Sequence, residues 1–393
     1  MKEAVSSSLP PQPVRRRVAV AGGGTAGHVT SALAIMSAYQ QSVGAEVYFV
    51  GCQGGFETQL VPSHGYDLEI IQGGPYARQS LWGKLRSLVG LARGILTARR
   101  LLKSRETNLV IGLGGYASVG TVLAARLLGI RSVIHEANVF PGLANRLTAG
   151  LSDCVFVGWD EARSSFPGSK TVVTGNPIEA NIASAARERV DTCWQAGPRR
   201  ILVTGGSLGS QFLNRKVPVL LESVRALGIP IAVRHQTGAG ETGAGETERV
   251  RDEYQRLGIA AVVESFIDDM AAAYSEAHFV IAAAGALTLA ELAAFGLPSL
   301  VVPLEVAANG HQISNAKAYA GRSGGGWVTE REWDPGLLAA LIAAPLSDFD
   351  AWRAQAHRVR EMANPNAAQK LVDECEALLA SRAPAVKTGH DLA

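Results

Sequence analysis

Three times along this chain a short apolar run ends in a glycine-rich turn and passes straight into a helical pattern. Arg17–Ala21 leads into Gly22-Gly-Gly-Thr-Ala-Gly-His28 and a helix over 29–41; Leu109–Gly112 leads into Gly114-Gly115 and a helix over 118–128; residues 200–204 lead into Gly205-Gly-Ser-Leu-Gly-Ser210 and a helix over 211–227. Glycine lets the backbone approach an anion, and a helix start offers unpaired N–H groups and a positive dipole end. Between these units, further β-branched runs fall at 45–50, 67–71, 131–135, 154–157 and 171–174, then at 230–236, 260–265, 279–282, 299–303 and 326–328. Helical patterns over 56–63, 81–105 and 142–152 separate them. Strands alternating with helices predict parallel sheets covered on both faces.

Gly175-Asn176-Pro177 punctuates the middle of the chain, after which the pattern restarts. The reading is α/β, with two Rossmann-like domains at 15–177 and 178–361. In such sheets ligands sit beyond the carboxyl ends of the strands, so the glycine turns of both domains face one cleft. A helical tail over 362–383 has no strand to pair with, and 1–14 and 384–393 read as disordered. At 393 residues and 47% hydrophobic content, the chain has material for two cores. A net charge of +2 gives no case for nucleic acid. Cys52, Cys154, Cys193 and Cys375 lie far apart with no C-x-x-C spacing, so neither a zinc site nor a disulfide framework is indicated and a reducing cytoplasm is the simplest reading. The run after Arg15-Arg16-Arg17 breaks after a few residues, too soon for a signal peptide, and no stretch has the ~18 uninterrupted apolar residues of a membrane span.

Gly22, Gly24 and Gly27 satisfy G-x-G-x-x-G, the dinucleotide pattern. That site needs an acid at the end of the second strand, which here reads Val50-Gly51-Cys52-Gln53. The second half offers another nucleotide site, Ala284-Gly-Ala-Leu-Thr-Leu-Ala-Glu291, where a carboxylate can hold both hydroxyls of a ribose. Thr288 and Glu291 also have capping-box spacing. Gly238–Thr242 is repeated at once as Gly243–Thr247 and reads as a duplicated surface loop. Over 76–103, basic and apolar residues mix. Trp82, Lys84 and Arg86 there suit contact with an anionic lipid surface, while most of the leucines suit an ordinary amphipathic helix.

Nine motifs then occur in register: the Gly22–His28 loop, Gly112-Leu-Gly-Gly-Tyr116, His135-Glu-Ala-Asn138, Gly175-Asn-Pro177, Gly205-Gly-Ser207, His235-Gln-Thr-Gly238, Phe266-Ile-Asp-Asp-Met270, Gly285-Ala-Leu-Thr288 and His311-Gln-Ile-Ser-Asn-Ala316. Together, over nearly the whole chain, they resemble the MurG family. Its members are bacterial GT-B transferases that add N-acetylglucosamine from UDP-GlcNAc to lipid I, making lipid II for peptidoglycan.

The resemblance implies a GT-B fold with the donor held mainly by the second domain, the acceptor by the first, and a last helix crossing back. It implies His28 as general base. It implies donor contacts at Thr25, Ala26, Gly27, Asn138, Ser207, Ile267, Ala286, Leu287, Thr288, Leu289, Ala290, Glu291 and Gln312, and acceptor contacts at Gly23, Gly24, Gly114, Gly115 and Tyr116. His135 and Glu136 support the loop that places Asn138. No cofactor and no metal are implied, in keeping with the lack of an obvious Asp-x-Asp metal motif. The implied partners are UDP-GlcNAc, lipid I, the anionic cytoplasmic face of the inner membrane, and proteins of cell-wall synthesis and division.

The chain departs from the family at Ala26, at Ala137, at Ala283-Ala284 where Arg-Ser is usual, and at Glu179 where an arginine usually follows Asn-Pro. Two missing arginines leave open a paralogue acting on another lipid or a small metabolite. A reading from a different class is an NAD-dependent oxidoreductase or nucleotide-binding module.

Overall fold

The computed structural model describes residues 16–24, 26–71, 81–189, 194, 197–239, 243–305 and 310–381. The expected tails at 1–14 and 384–393, the loop at 76–80 and Thr25 lie outside the described residues.

Two parallel sheets carry the chain. The first contains β1 (Arg17–Ala21), β2 (Glu46–Cys52), β3 (Asp67–Ile71), β4 (Leu109–Gly112), β5 (Arg131–Glu136), β6 (Cys154–Val157) and β7 (Thr171–Val173), in the order β3-β2-β1-β4-β5-β6-β7. The second contains β8 (Arg199–Thr204), β9 (Ile231–Gln236), β10 (Ala260–Glu264), β11 (Phe279–Ala283), β12 (Ser299–Val302) and β13 (Gly326–Trp327), in the order β10-β9-β8-β11-β12-β13. Helices cover both faces of each sheet. That is why the central strands read as continuous apolar runs: Val18–Ala21, Leu109–Ile111 and Phe279–Ala282 are all but inaccessible to solvent.

Strand order reverses between β1 and β4 and again between β8 and β11. At such a switch point the loops after neighbouring strands diverge and leave a crevice. The register Ala21↔Gly112 sets Gly22–Gly24 beside Leu113–Gly115, and Ala282↔Thr204 sets Gly205–Ser207 beside Ala284–Ala286.

The helix Ala367–Ala380 returns to the first sheet's side. Leu371, Val372 and Cys375 join the core formed by Val29, Leu33 and Tyr39. Arg16 Nε meets Glu376 Oε2 at 2.9 Å, and Lys370 Nζ donates to the Val173 carbonyl at 2.7 Å. Among the described residues no helix is long and apolar enough to cross a membrane.

Two local expectations change. The helix after the first glycine turn begins at Ala26, not Val29, so His28 lies in its first turn. The duplicated Gly-Ala-Gly-Glu-Thr is not two copies of one loop. Its second copy opens the helix Gly243–Arg256, where Thr247 is buried and its hydroxyl meets that of Thr237 at 2.7 Å. A buried partner for Thr247 selects the helical geometry for the second copy.

Candidate active site

In the first domain, β1 stops at three glycines because the loop is threaded between neighbours. Gly23 has φ +137°, and a Cβ on it would lie 2.2 Å from the Glu57 carboxylate. On the other side, a Cβ on Gly115 would come within 2.8 Å of the Gly23 carbonyl oxygen. His28 Nδ1 donates to that same carbonyl at 3.1 Å. A carbonyl can only accept, so Nδ1 carries a proton, and in the neutral ring Nε2 is the acceptor nitrogen. Nε2 lies beside Gly114, 3.5 Å from where its Cβ would be. Tyr116 follows in the helix Gly115–Leu128, half-buried, its hydroxyl pKa raised first by burial and then by Cys52.

The loop after β5 is built on a buried acid. Glu136 Oε1 accepts from the Asn138 N–H (2.9 Å) and side-chain amide (3.0 Å); Oε2 accepts from the Gly142 N–H and the Asn145 amide, both at 2.9 Å. His135 is fully enclosed and donates from Nε2 to the Gly175 carbonyl at 3.1 Å; burial holds its pKa below the ordinary value.

In the second domain, the helix Ala286–Phe295 starts where β11 ends, with Gly285 at its N-cap. Thr288 is therefore the third helical residue and Glu291 the sixth, which removes the capping-box reading. Glu291 instead accepts a hydrogen bond from the Tyr274 hydroxyl at 2.9 Å. Burial pushes its carboxyl up to about 7; Tyr274 works against that rise, and the nearby Glu179 adds to it. The position where the family usually has an arginine thus adds negative charge here. Ala283 and Ala284 are buried and bring no charge either.

Gln236 ties two loops together. Its amide donates to the Gly206 carbonyl at 2.9 Å, and its oxygen accepts from the Ile267 N–H at 2.9 Å. Ser207 is half-buried beside an open cavity of about 650 Å³ lined by Leu208, Ser210, Thr237, Leu304 and Glu330. Gln312 accepts from the Leu304 N–H at 2.9 Å, and so borders this cavity's rim.

The domains meet through these same segments. Asn315, fully buried, accepts from the Val139 N–H (3.0 Å) and donates to Asn138 Oδ1 (3.1 Å) and to the Ala284 carbonyl (3.2 Å). Asn176 donates to the Ala137 and Ala286 carbonyls at 3.0 and 3.2 Å, and His311 Nδ1 to the Phe140 carbonyl at 2.8 Å. A side chain at Gly27 would stand 4.0 Å from Leu287, so the two helix starts, Ala26–His28 and Ala286–Thr288, face each other. Ala290 is half-buried on that second helix and Leu289 packs inward.

Sequence reasoning missed Glu57, Gln236 and Asn315 as organisers. It also missed one Asp-x-Asp stretch, Asp348-Phe349-Asp350. Asp348 there is the N-cap of the helix Phe349–Arg360, accepting from the Asp350 and Ala351 N–H groups at 2.8 and 3.2 Å. Trp82, Lys84 and Arg86 belong to the helix Leu81–Ser104, but their side chains, like that of Ala26, lie outside the described residues.

Residues 18–157 match the glycosyltransferase family 28 N-terminal domain, and residues 200–371 match the family 28 C-terminal domain. A Magnetococcus marinus protein named UDP-N-acetylglucosamine--N-acetylmuramyl-(pentapeptide) pyrophosphoryl-undecaprenol N-acetylglucosamine transferase is 37% identical, over 91% of this chain and 96% of its own length. A Geobacter protein (strain M21) of the same name is 38% identical over 91% of this chain and 94% of its own length. The crystal structure of Acinetobacter baumannii MurG superimposes with a TM-score of 0.75 at 30% identity, covering 92% of this chain and 99% of that one. A Neisseria meningitidis UDP-GlcNAc 2-epimerase, at 12% identity and TM-score 0.64, shares the fold alone. With both of its domains matched and relatives aligned along almost their full length, the chain belongs to glycosyltransferase family 28, in its MurG branch, and has the GT-B fold.

Proposed function

We infer that this chain transfers N-acetylglucosamine from UDP-GlcNAc to the 4-hydroxyl of the N-acetylmuramyl unit of lipid I, giving lipid II with inversion at the anomeric carbon. The observation that carries this is the meeting of two helix starts across one cleft. His28 presents an Nε2 lone pair from one side, and Glu291 stands behind the opposing helix start on the other. The substrates follow from the names of the relatives. Nε2 takes the proton of the acceptor hydroxyl as its oxygen bonds to the anomeric carbon. The bond from that carbon to the diphosphate oxygen breaks, and its electron pair leaves with UDP. The N–H groups of the helix start at Ala286–Thr288 and of the Gly205–Ser207 turn support the departing charge.

Donor recognition is divided among groups already fixed by the fold. The Ile267 N–H is engaged by Gln236, so its carbonyl reads the uracil N–H. Glu291 takes the ribose hydroxyls, Ser207 the diphosphate, and Gln312 with Asn138 and Gly27 the sugar. The acceptor pyrophosphate lies along Gly23–Gly24 and Gly114–Tyr116. Radiolabelled sugar from UDP-GlcNAc is expected in the lipid fraction when a lipid I analogue is supplied. Label appearing only on diacylglycerol or soluble acceptors would remove lipid I from the reading.

A lipid-linked acceptor asks for a peripheral site on the inner face of the cell membrane. Leu143 and Leu147, 60% and 62% exposed, stand one turn apart on the helix Leu143–Thr148, with Arg146 exposed between them and Leu151 one turn further. That helix packs beside Gly115–Leu128, which packs beside Leu81–Ser104, the helix carrying Trp82, Lys84 and Arg86. Apolar side chains among basic ones suit an anionic bilayer surface. Leu143→Ser with Leu147→Ser is expected to weaken partitioning onto phosphatidylglycerol vesicles by about tenfold or more, since each leucine contributes roughly 1.5–3 kcal/mol on burial. Unchanged co-sedimentation would remove this face from the docking surface.

A further inference from the structure

Glu57 is 1% exposed and opens the helix Glu57–Ser63, beyond the end of β2. Its Oε1 accepts from the Cys52 N–H at 3.2 Å and its Oε2 from the Gly24 N–H at 3.3 Å. Three glycines make room for this side chain. A Cβ on Gly23, Gly51 or Gly55 would fall 2.2, 2.8 or 2.1 Å from one of its atoms. Burying an acid is costly, and crowding it among glycines adds backbone entropy to that cost. An apolar side chain would fill the same space without the cost of burying an acid.

The Gly24 N–H belongs to the same peptide group as the Gly23 carbonyl. That carbonyl accepts the His28 Nδ1 proton at 3.1 Å. A trans peptide is planar, with its N–H and C=O pointing in opposite directions. Glu57 and His28 therefore hold the two ends of one rigid amide. Gly115 presses on the same carbonyl from a third side, where a Cβ would come within 2.8 Å. A charge on the N–H end polarises the amide and strengthens its carbonyl as an acceptor.

We propose that Glu57 is a positioning residue for the transfer reaction, acting on His28 through the Gly23–Gly24 peptide. It holds the imidazole in the tautomer with the proton on Nδ1, and supports the imidazolium that forms when Nε2 takes the acceptor's proton. This rests on His28 being the base. No atom of Glu57 gains or loses a proton in the step; the carboxylate acts by orientation and field alone. The arrangement does the work of a carboxylate bonded directly to a histidine, with one peptide group interposed.

The test is a double-mutant cycle with Glu57→Gln and His28→Ala, read by steady-state kinetics on a lipid I analogue. Glu57→Gln turns one acceptor oxygen into a donor facing a backbone N–H. It is expected to lower kcat about 10- to 100-fold, as second-layer partners of a functional histidine do. KM for UDP-GlcNAc should stay within about twofold, because the proposed uracil, ribose and diphosphate contacts lie across the cleft. On a His28→Ala background the same change should cost nothing further. A full additional loss there would overturn the relay and leave Glu57 with a role independent of His28. Near-normal turnover of His28→Ala alone would instead overturn the base assignment. Should Glu57→Gln fail to fold, nitrogen-15 NMR of the parent enzyme still decides: the relay requires the neutral His28 ring to be protonated at Nδ1, and an Nε2-protonated ring would end it.

Discussion

His28→Ala is expected to lower turnover of a lipid I analogue by about 10²- to 10⁴-fold, the range a positioned general base contributes. Affinity for UDP should change little. The acceptor hydroxyl is a weak nucleophile until its proton leaves; in the proposed reaction the neutral His28 ring takes that proton at Nε2, its Nδ1 proton being held by the Gly23 carbonyl. The neighbouring histidine cannot substitute. His135 is buried and donates its Nε2 proton to the Gly175 carbonyl. Calorimetric titration with UDP separates binding from chemistry. Turnover within a few-fold of the parent would refute the base assignment, and so would loss of UDP binding in step with rate.

The second large effect concerns Glu291 and acidity. Its carboxyl is pushed from the ordinary 4.5 up to about 7 by burial and by Glu179, while Tyr274 pulls it down. In the free enzyme the folded state therefore holds a proton between those values that the unfolded state has lost. By linkage, stability is greatest below about 4.5 and falls as pH rises through about 7. Glu291→Gln should accordingly gain thermal stability over the parent as pH moves from 5 to 8.

In the proposed donor site the ribose hydroxyls reverse the preference, because they donate and favour an ionised acceptor. UDP binding should release a proton below pH 7, and affinity should drop about tenfold from pH 8 to pH 6. Tyr274→Phe removes a bond that favours the ionised form, so the same drop should set in at higher pH. Calorimetry in buffers of differing ionisation heat counts the proton. Affinity that is flat from pH 6 to 8 contradicts Glu291 as the ribose acceptor.

The strands were legible in the sequence for a simple reason. Strands of a parallel sheet buried on both faces, such as Val18–Ala21 and Phe279–Ala282, are continuous apolar runs, and the glycines that end them are conspicuous. Helix starts were less legible. Ala26-Gly27-His28 carries a glycine in its first turn, and glycine argues against a helix interior. The long-range polar supports could not be read at all. Glu57 reaches the first loop only because β2 lies beside β1, and Asn315 reaches Asn138 only because the domains are docked. Neither proximity leaves a periodic trace in one chain. Glu57 did leave a hint: an acid just after Gly54-Gly55, with Gly51 behind it, is an odd place for a charge unless the glycines exist to admit it.

The chain passes between its domains twice, once near Gly175–Pro177 and again near Met362–Asn364 on its way to the last helix. The passages run side by side: Gly175 has φ +84°, and a Cβ there would strike the Asn364 Cβ at 2.4 Å. One connecting segment makes a ball joint. Two adjacent ones make a door hinge, which permits swinging about the line through them and resists twisting or sliding. Swinging such a door open would require the Asn315 and His311 bonds between the domains to break. Closing about that line would bring the two helix starts, Ala26–His28 and Ala286–Thr288, back to the register in which Gly27 faces Leu287.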